Sequence, residues 1–461
     1  MGEWASKGLW KANVLPFFDL TGPLDHWPTA DQKEYFLYGE KTILNNGVRV
    51  LSFSMPHVRS VSMILTYNIG SRYETAEHAG ISHFIEHMVF KGTPTRPNPE
   101  QIAEAIEGVG GMLNAYTSRE QTGYWAKVPS THFASSFAVL ADMLRNSLFV
   151  AEELEKERDV IIEEIRAAED DPTDLVGELS NRLIWDEQSV GRSIAGSEES
   201  VGRIDRPTML SYLGEHYVPA NLVISVAGNV EHDEVVKRAE ELFGDMPAGV
   251  PQVQEQARMR QTAPRAGLLT RPDKQANLVL ALPGLSYHDE RRYVQRTLDV
   301  ILGSGMSSRL FIEIRERRGL AYSVGSYFNQ LADVGNGAVY VGVDPNKAEE
   351  TVNAVVGELR KLRDVPVPAD ELARSKEFRK GRILMGLEDS QAMASWLGSN
   401  EILYGEVPTP EEVTARIDAV TVEDVSALAR ELFTPERYSL AIVGPYEDEA
   451  RWQKLMEQLA K

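Results

Sequence analysis

The chain repeats itself. Val61–Gly70 reads as a strand ending in glycine, and Gln275–Gly284 reads the same way. Arg203-Ile204-Asp205 recurs as Arg416-Ile417-Asp418, and Pro219, Ile224, Val226 and Gly228 recur in pattern as Pro435, Leu440, Ile442 and Gly444. All the offsets fall between 213 and 216 residues, so two copies of one unit are the economical explanation. A chain of 461 residues has room for two to four domains with real cores. Within each copy, strand signals mix with long amphipathic helical patterns. Asn46-Gly47 marks a hairpin turn between Lys41–Leu44 and Val48–Phe53. The expectation is an α+β fold of two homologous α/β units, each a mainly antiparallel sheet with helices packed on one face. Residues 37–245 form the first unit and 266–461 the second. Residues 246–265, rich in Pro and Gln with few large apolar side chains, read as the linker. Residues 1–36 read as an N-terminal extension.

The densest chemistry lies in His83-Phe84-Ile85-Glu86-His87. Ile81, Phe84, Ile85 and Met88 form one apolar stripe at helical spacing. His83, Glu86 and His87 then cluster on the opposite face. Gly92 and Pro94 read as the helix stop. Two imidazoles one turn apart can share a zinc ion, and the carboxylate between them lies beside it as a base. His-x-x-Glu-His is the inverted zinc-peptidase pattern. The competing reading is a solvated polar helix face.

A catalytic zinc needs a third protein ligand and an open position. The downstream helical stretch around Glu155–Ile165 supplies carboxylates. Leu154, Ile161 and Ile165 mark its buried stripe, Glu157 and Glu164 lie seven apart at the stripe's edge, and Asp159 and Glu163 point more toward solvent. Most acidic helix runs are simply solvated.

At this point the sequence resembles the M16 (pitrilysin/insulinase) family, above all its short members related to the mitochondrial processing peptidase β subunit. The resemblance rests on His83–Thr93, Gly111–Thr117, Glu157–Glu164 and Arg315–Tyr322, in that order, and extends from about Tyr38 to the C-terminus. It implies a zinc-dependent endopeptidase with one Zn2+ per chain, held by His83, His87 and Glu164. Glu157 would support the site and Glu86 would be the catalytic base. Glu163 is the rival third ligand; the pairing with Glu157 favours Glu164. The resemblance further implies that Arg315 and Tyr322, from the unit without zinc, complete the site, Tyr322 by stabilising the oxyanion and Arg315 by holding the substrate backbone. Asn114 and Ala115 would bind the peptide as an edge strand. The second unit's counterpart of the zinc helix, Tyr293–Leu302, has no histidine. Larger family members enclose substrate with four such units, so a homodimer with shared active sites is expected here. Two other readings stand beside this one: a catalytically inactive structural relative, and an accessory peptide-binding subunit of a heteromeric complex.

Composition narrows the partners. The net charge of −21 argues against nucleic acid and anionic membranes, and no apolar run approaches a membrane span. There are no cysteines, so thiolate ligands and disulfides are excluded. Residues 1–36 carry Trp4, Trp10 and Trp27 but no arginine. Their apolar piece is short and broken by Pro16, so they read as neither a signal nor a transit peptide, and a cytoplasmic location is expected. Gly303-Ser304-Gly305 lacks the context of a phosphate loop, and His57, His78, His132 and His288 show no ligand spacing.

Overall fold

The computed structural model describes residues 34–36 and 39–461. The expected 1–36 extension lies outside the described residues, except for the backbone of Glu34–Phe36.

The first unit runs β1 (Glu34–Phe36), β2 (Gly39–Ile43), β3 (Arg49–Ser54), β4 (Ser60–Tyr67), α1 (Ile81–Met88), α2 (Pro99–Glu107), β5 (Met112–Thr117), β6 (Thr122–Pro129), α3 (Phe133–Asn146), α4 (Ala151–Asp170), α5 (Pro172–Trp185), α6 (Glu198–Arg203), α7 (Arg206–His216), β7 (Leu222–Gly228) and α8 (His232–Phe243). The second runs β8 (Arg265–Thr270), β9 (Ala276–Gly284), α9 (Arg292–Leu302), a π-helical turn (Phe311–Arg317), β10 (Ala321–Gln330), β11 (Gly335–Val343), α10 (Ala348–Asp364), α11 (Ala369–Gly386), α12 (Ser390–Tyr404), α13 (Pro410–Asp418), α14 (Val422–Leu432), β12 (Ser439–Gly444) and α15 (Glu449–Leu459).

The two sheets share one topology. The first has the order β1-β2-β3-β7-β4-β6-β5 and the second β10-β11-β9-β12-β8. Reversed, the second matches the first from β3 onward. In each, one pair is parallel, β3 with β7 and β8 with β12, and the remaining pairs are antiparallel. The fold is thus the duplicated α+β arrangement expected. The Asn46-Gly47 hairpin closes where expected too: the Gly47 N–H donates to the Leu44 carbonyl at 2.8 Å, and Gly47 takes a φ of 98° that suits glycine.

Each unit packs its own helices on one face of its sheet. On β4 and β7 that face presents Val61, Met63, Leu65, Leu222, Ile224 and Val226. The opposite face is apolar as well: Ile64 and Ala227 pack with Met393 and Ala394, and Leu51 and Val223 pack with Leu397. These partners belong to α12, a helix of the second unit. The exchange is reciprocal. α5 of the first unit lays Val176, Leu179 and Leu183 on Val279, Ala441 and Val443 of the second sheet. Contact at α12 is close: a Cβ on Gly398 would meet Ser225 Oγ at 2.7 Å. The central strands are therefore buried on both faces, which is why β7 is apolar almost throughout rather than alternating.

Segment 247–264, between the units, has no regular secondary structure but is pinned to both. Tyr73 donates to Gln254 Oε1 at 2.7 Å, the Ala257 N–H donates to Asp333 at 2.7 Å, and Ala257 and Gln261 are buried. Beside it Arg72, fully buried, pairs with Glu120 of the first unit and with Asp333 of the second at 3.0 Å. Among the described residues no single helix is long and apolar enough to cross a membrane.

Because each sheet depends on a helix of the other unit, the two units should unfold together. Leu397→Ala, a core truncation on α12, is expected to cost about 2–5 kcal/mol. Calorimetry should show one transition moved to lower temperature. Two separated transitions, with only the second unit affected, would contradict the exchange.

Candidate metal centre

α1 places the His-x-x-Glu-His residues. Ile81, Phe84, Ile85 and Met88 are buried against the first unit's core, which turns His83, Glu86 and His87 to the half-buried edge. The helix begins at Gly80, in the left-handed region with φ 94°. No side chain at Gly80 can cap it, so the buried Glu74 carboxylate does so from outside. It accepts from Gly80 N at 2.7 Å and Ser82 N at 2.9 Å. Burial pushes the Glu74 pKa up to about 7. Beyond the helix, Gly92 turns the chain away at φ 133°. A Cβ there would strike the Pro97 carbonyl at 2.6 Å.

α4 crosses α1 and brings carboxylates to it. His83 Nε2 and His87 Nε2 lie 3.2 Å apart. Glu164 Oε2 is 3.9 Å from the first and 3.7 Å from the second. Ligand atoms of the three residues all lie within 4.8 Å of one another, the one such cluster of three metal-binding side chains among the described residues. Two atoms bound tetrahedrally at 2.0–2.1 Å sit about 3.3 Å apart, so the imidazole pair already has zinc spacing. A shift of a few tenths of an ångström brings in the half-exposed Glu164 carboxylate. The rival Glu163 points away, 71 % exposed, and pairs with Arg166 at 2.8 Å.

The surroundings act differently on the two imidazoles. Burial, then the neighbouring His87 charge, push the His83 pKa down to about 4, leaving that ring neutral. Burial would lower His87 too, but its hydrogen bond to Glu157 and the charges of Glu164, Glu157 and Glu86 outweigh it and leave the pKa raised. His87 Nδ1 donates to Glu157 Oε1 at 2.9 Å, which directs its Nε2 lone pair toward His83 and Glu164. Glu157 is itself buried and salt-bridged to Lys91, one turn beyond His87. Burial alone would raise the Glu157 pKa; the bonds to His87 and Lys91 outweigh it and hold the carboxyl low. His83 Nδ1, by contrast, is buried with no hydrogen-bond partner among the described residues. The donor set of two imidazoles and one carboxylate fits a catalytic zinc.

Glu86 stands beside this cluster. Thr117 Oγ1, at the end of β5, donates to Glu86 Oε2 at 2.5 Å. Burial raises the Glu86 pKa against that hydrogen bond and the His87 charge. β5 is the outer strand of the first sheet and carries Asn114 and Ala115. The Asn114 side chain folds over the strand, its Oδ1 accepting from the Ala115 N–H at 2.8 Å.

Arg315 and Tyr322 meet each other. The Arg315 guanidinium lies 4.9 Å from the Tyr322 ring centroid and 4.8 Å from that of Phe311. Tyr322 is 81 % exposed, so it is no core aromatic. Among the described residues neither has a hydrogen bond, ion pair or ring contact with His83, Glu86, His87 or Glu164. The strand geometry explains this. β10 is 10 residues long, about 30 Å at the usual rise. Tyr322 sits at its start. Its far end leads to Ala332 and Asp333, which contact Glu120 and Arg72, and Glu120 lies three residues beyond Thr117. Thr117, Lys91 and Glu74 were not singled out from sequence. Lys91 could have been, at i+4 from His87; the other two act across loops with no local pattern.

Fold and site together define a duplicated α+β chain with a zinc-peptidase-type cluster in its first unit. The profile of the insulinase family (peptidase family M16) matches residues 49–198, and that of the peptidase M16 inactive domain matches residues 203–378. The chain is 37 % identical to an uncharacterized zinc protease of Streptomyces coelicolor, over 88 % of this chain and 90 % of that one. It is 39 % identical to an uncharacterized zinc protease of Bacillus subtilis, over 87 % and 97 %. A protease from Helicobacter pylori has the same fold, with a TM-score of 0.84 at 22 % identity over 89 % of this chain and all of the other. A peptidase M16 inactive domain from Pseudomonas fluorescens superposes with a TM-score of 0.83 at 18 % identity, over 90 % and 99 %. This protein belongs to peptidase family M16.

Zinc titration against a competing chelator tests the ligand set. Glu164→Gln should weaken zinc binding strongly and Glu163→Gln should not. Glu157→Gln, which removes the support of His87, should cost about 10- to 100-fold. The reverse order of Glu163 and Glu164 would reassign the third ligand.

Proposed function

We propose that the protein is a zinc-dependent endopeptidase that cleaves peptides or unfolded segments bound as an extended strand. The observation that carries this reading is the convergence of His83, His87 and Glu164 beside a half-buried Glu86 and an open sheet edge. His83, His87 and Glu164 would hold the ion. When bound, zinc supplies Lewis-acid polarisation of the scissile carbonyl and acidifies a water molecule.

The remaining work falls to side chains and backbone. β5 pairs with the incoming peptide through main-chain groups, which favours an extended conformation and depends little on side-chain identity. The peptide carbonyl competes with Asn114 Oδ1 for the Ala115 N–H. Glu86 takes the proton of the attacking water and delivers it to the leaving amine. Its raised pKa helps it hold that proton between the two steps. Tyr322 donates to the carbonyl oxygen as charge develops there, and Arg315 binds a substrate backbone carbonyl. The accessory-subunit reading predicts no turnover; the complete zinc cluster and its supporting Glu157 speak for an enzyme. Glu86→Gln should retain zinc by elemental analysis and lose about 10^2- to 10^4-fold in peptide turnover. Full turnover in this variant would remove Glu86 from the mechanism.

We further propose that Arg315 and Tyr322 act across a homodimer interface. The span of β10, the exposure of Tyr322 and the lack, among the described residues, of any contact between the pair and its own chain's cluster support this. Glu86→Gln and Tyr322→Phe chains, each nearly inactive alone, should complement when mixed. With random exchange half the dimers are mixed and each has one intact site, so roughly a quarter of wild-type activity should return. No recovery, after exchange has been verified by mass-tagged subunits, would place the pair elsewhere.

A further inference from the structure

The duplication puts a second cleft where the first unit has its metal cluster. Helix α9 stands to α11 as α1 stands to α4. The buried stripes set the register: Ile81, Ile85, Met88 and Val89 match Val294, Leu298, Ile301 and Leu302. Buried Leu154 matches buried Leu372, and the helices that follow start from matching caps, Asp171 and Asp389. In this register His83 becomes Arg296, Glu86 becomes Asp299, His87 becomes Val300 and Glu164 becomes Arg382. Arg379 replaces the buried Ile161. One relation survives from the first unit. A hydroxyl on the neighbouring strand holds the carboxylate in both, Thr117 on Glu86 and Ser326 on Asp299 at 2.6 Å.

The charge of the site has inverted. A cleft of about 410 Å³ between α9, α11 and α12 is lined by Arg292, Arg296, Arg379 and Arg382, with Tyr404 and Trp396 on its wall. Little within the protein neutralises these guanidinium groups. Among the described residues Arg379 and Arg382 make no ion pair or hydrogen bond, and Arg379 Nε is buried without a partner. Arg296 donates to a neutral amide, Gln330, at 3.0 Å. Arg292 reaches Glu290 and the Asp289 carbonyl only at 3.4 Å, donates to the Tyr293 hydroxyl at 3.3 Å, and lies over the rings of Tyr293 and Tyr404 at 4.7 and 4.6 Å. Asp299 is the carboxylate whose charge reaches Arg379, and it already accepts from Ser326 and Ser304. Burial and the facing Arg296 push the Arg379 pKa down to about 10, so it stays charged at neutral pH. Such a concentration is unexpected in a chain of net charge −21 unless it is local and directed.

We propose that this cleft binds a small phosphate-bearing anion, gripped by Arg296 from α9 and by Arg379 and Arg382 from α11, with Arg292 beside them. Guanidinium forks match the oxygens of a phosphate bidentately, and several of them around one cleft call for more than one negative charge. A lone carboxylate supplies one; pyrophosphate supplies several. The cleft volume is that of a small-molecule site. Its third wall is α12, the helix that covers the first unit's sheet, so an occupant would tie that helix to its own unit.

Inorganic pyrophosphate is the probe. Calorimetric titration into the full-length, zinc-loaded protein should give saturable 1:1 binding, absent with chloride at matched ionic strength. Zinc content is measured before and after, because pyrophosphate also chelates metal. The double variant Arg379→Met with Arg382→Gln should weaken binding at least about tenfold. Arg296→Gln alone, at a half-buried position with a neutral partner, should weaken it severalfold and keeps the test open if the double variant misfolds. Arg374→Gln, on the same helix and paired with Asp370, should change nothing. Heats no larger than those of chloride, or full binding in the Arg296 and double variants, would overturn the proposal.

Discussion

A sheet that is apolar on both faces needs two covering layers, and here each unit owns only one. That constraint organises the molecule. β7 and β12 are interior strands of their sheets, with their own unit's helices on one side and a helix of the other unit on the opposite side. Neither unit can bury its second face alone. The buried Arg72 then restricts how the units can sit. Burial would lower its pKa, but bonds to Asp333 and Glu120 outweigh this and raise it, so the guanidinium stays charged and tied to both units. Removing either carboxylate would strand a buried charge. The β5–β6 turn that carries Glu120 also carries the residue next to Thr117, so the tie between the units lies one short turn from the residue that holds Glu86.

The candidate metal centre uses the same helix crossing as the packing beneath it. α1 and α4 meet through Ile85, Ile161 and their neighbours, and the polar edges of the two helices are brought together as a consequence. What distinguishes this edge from an ordinary solvated face is the chain of contacts from Lys91 to Glu157 to His87. It sets one ring's proton on Nδ1 and leaves the other nitrogen facing His83. The second unit keeps the crossing but not the edge. Packing constrains the buried stripe; it places no demand on which charged group stands beside it. One copy can therefore hold imidazoles and carboxylates while the other holds guanidinium groups.

Much of this is local and so was readable in the sequence. The apolar stripes at helical spacing gave α1 and α4, and the Asn-Gly turn gave the first hairpin. The recurrence of Arg-Ile-Asp and of the Pro…Gly strand pattern gave the duplication. The strand register needed the ladders: opposite Gly228 stands Val61, and opposite the place of Gly444 stands Ala276 rather than Gln275. Residues 246–265 read as a linker because they carry few large apolar groups, but polar contacts to both units hold segment 247–264 in place.

The sequence by itself determined the donor types, their helical spacing and the existence of two related units, because each of these is a property of residues near one another along the chain. It could not determine which helix covers which sheet: α5 and α12 carry no mark of the unit they will pack against, since an apolar helix face fits any apolar sheet. Nor could it set the distance from Glu164 to the imidazoles, or bring Thr117 to Glu86, or four arginines into one cleft. Those meetings join residues far apart in sequence, and only the crossing of helices in three dimensions sets their distances.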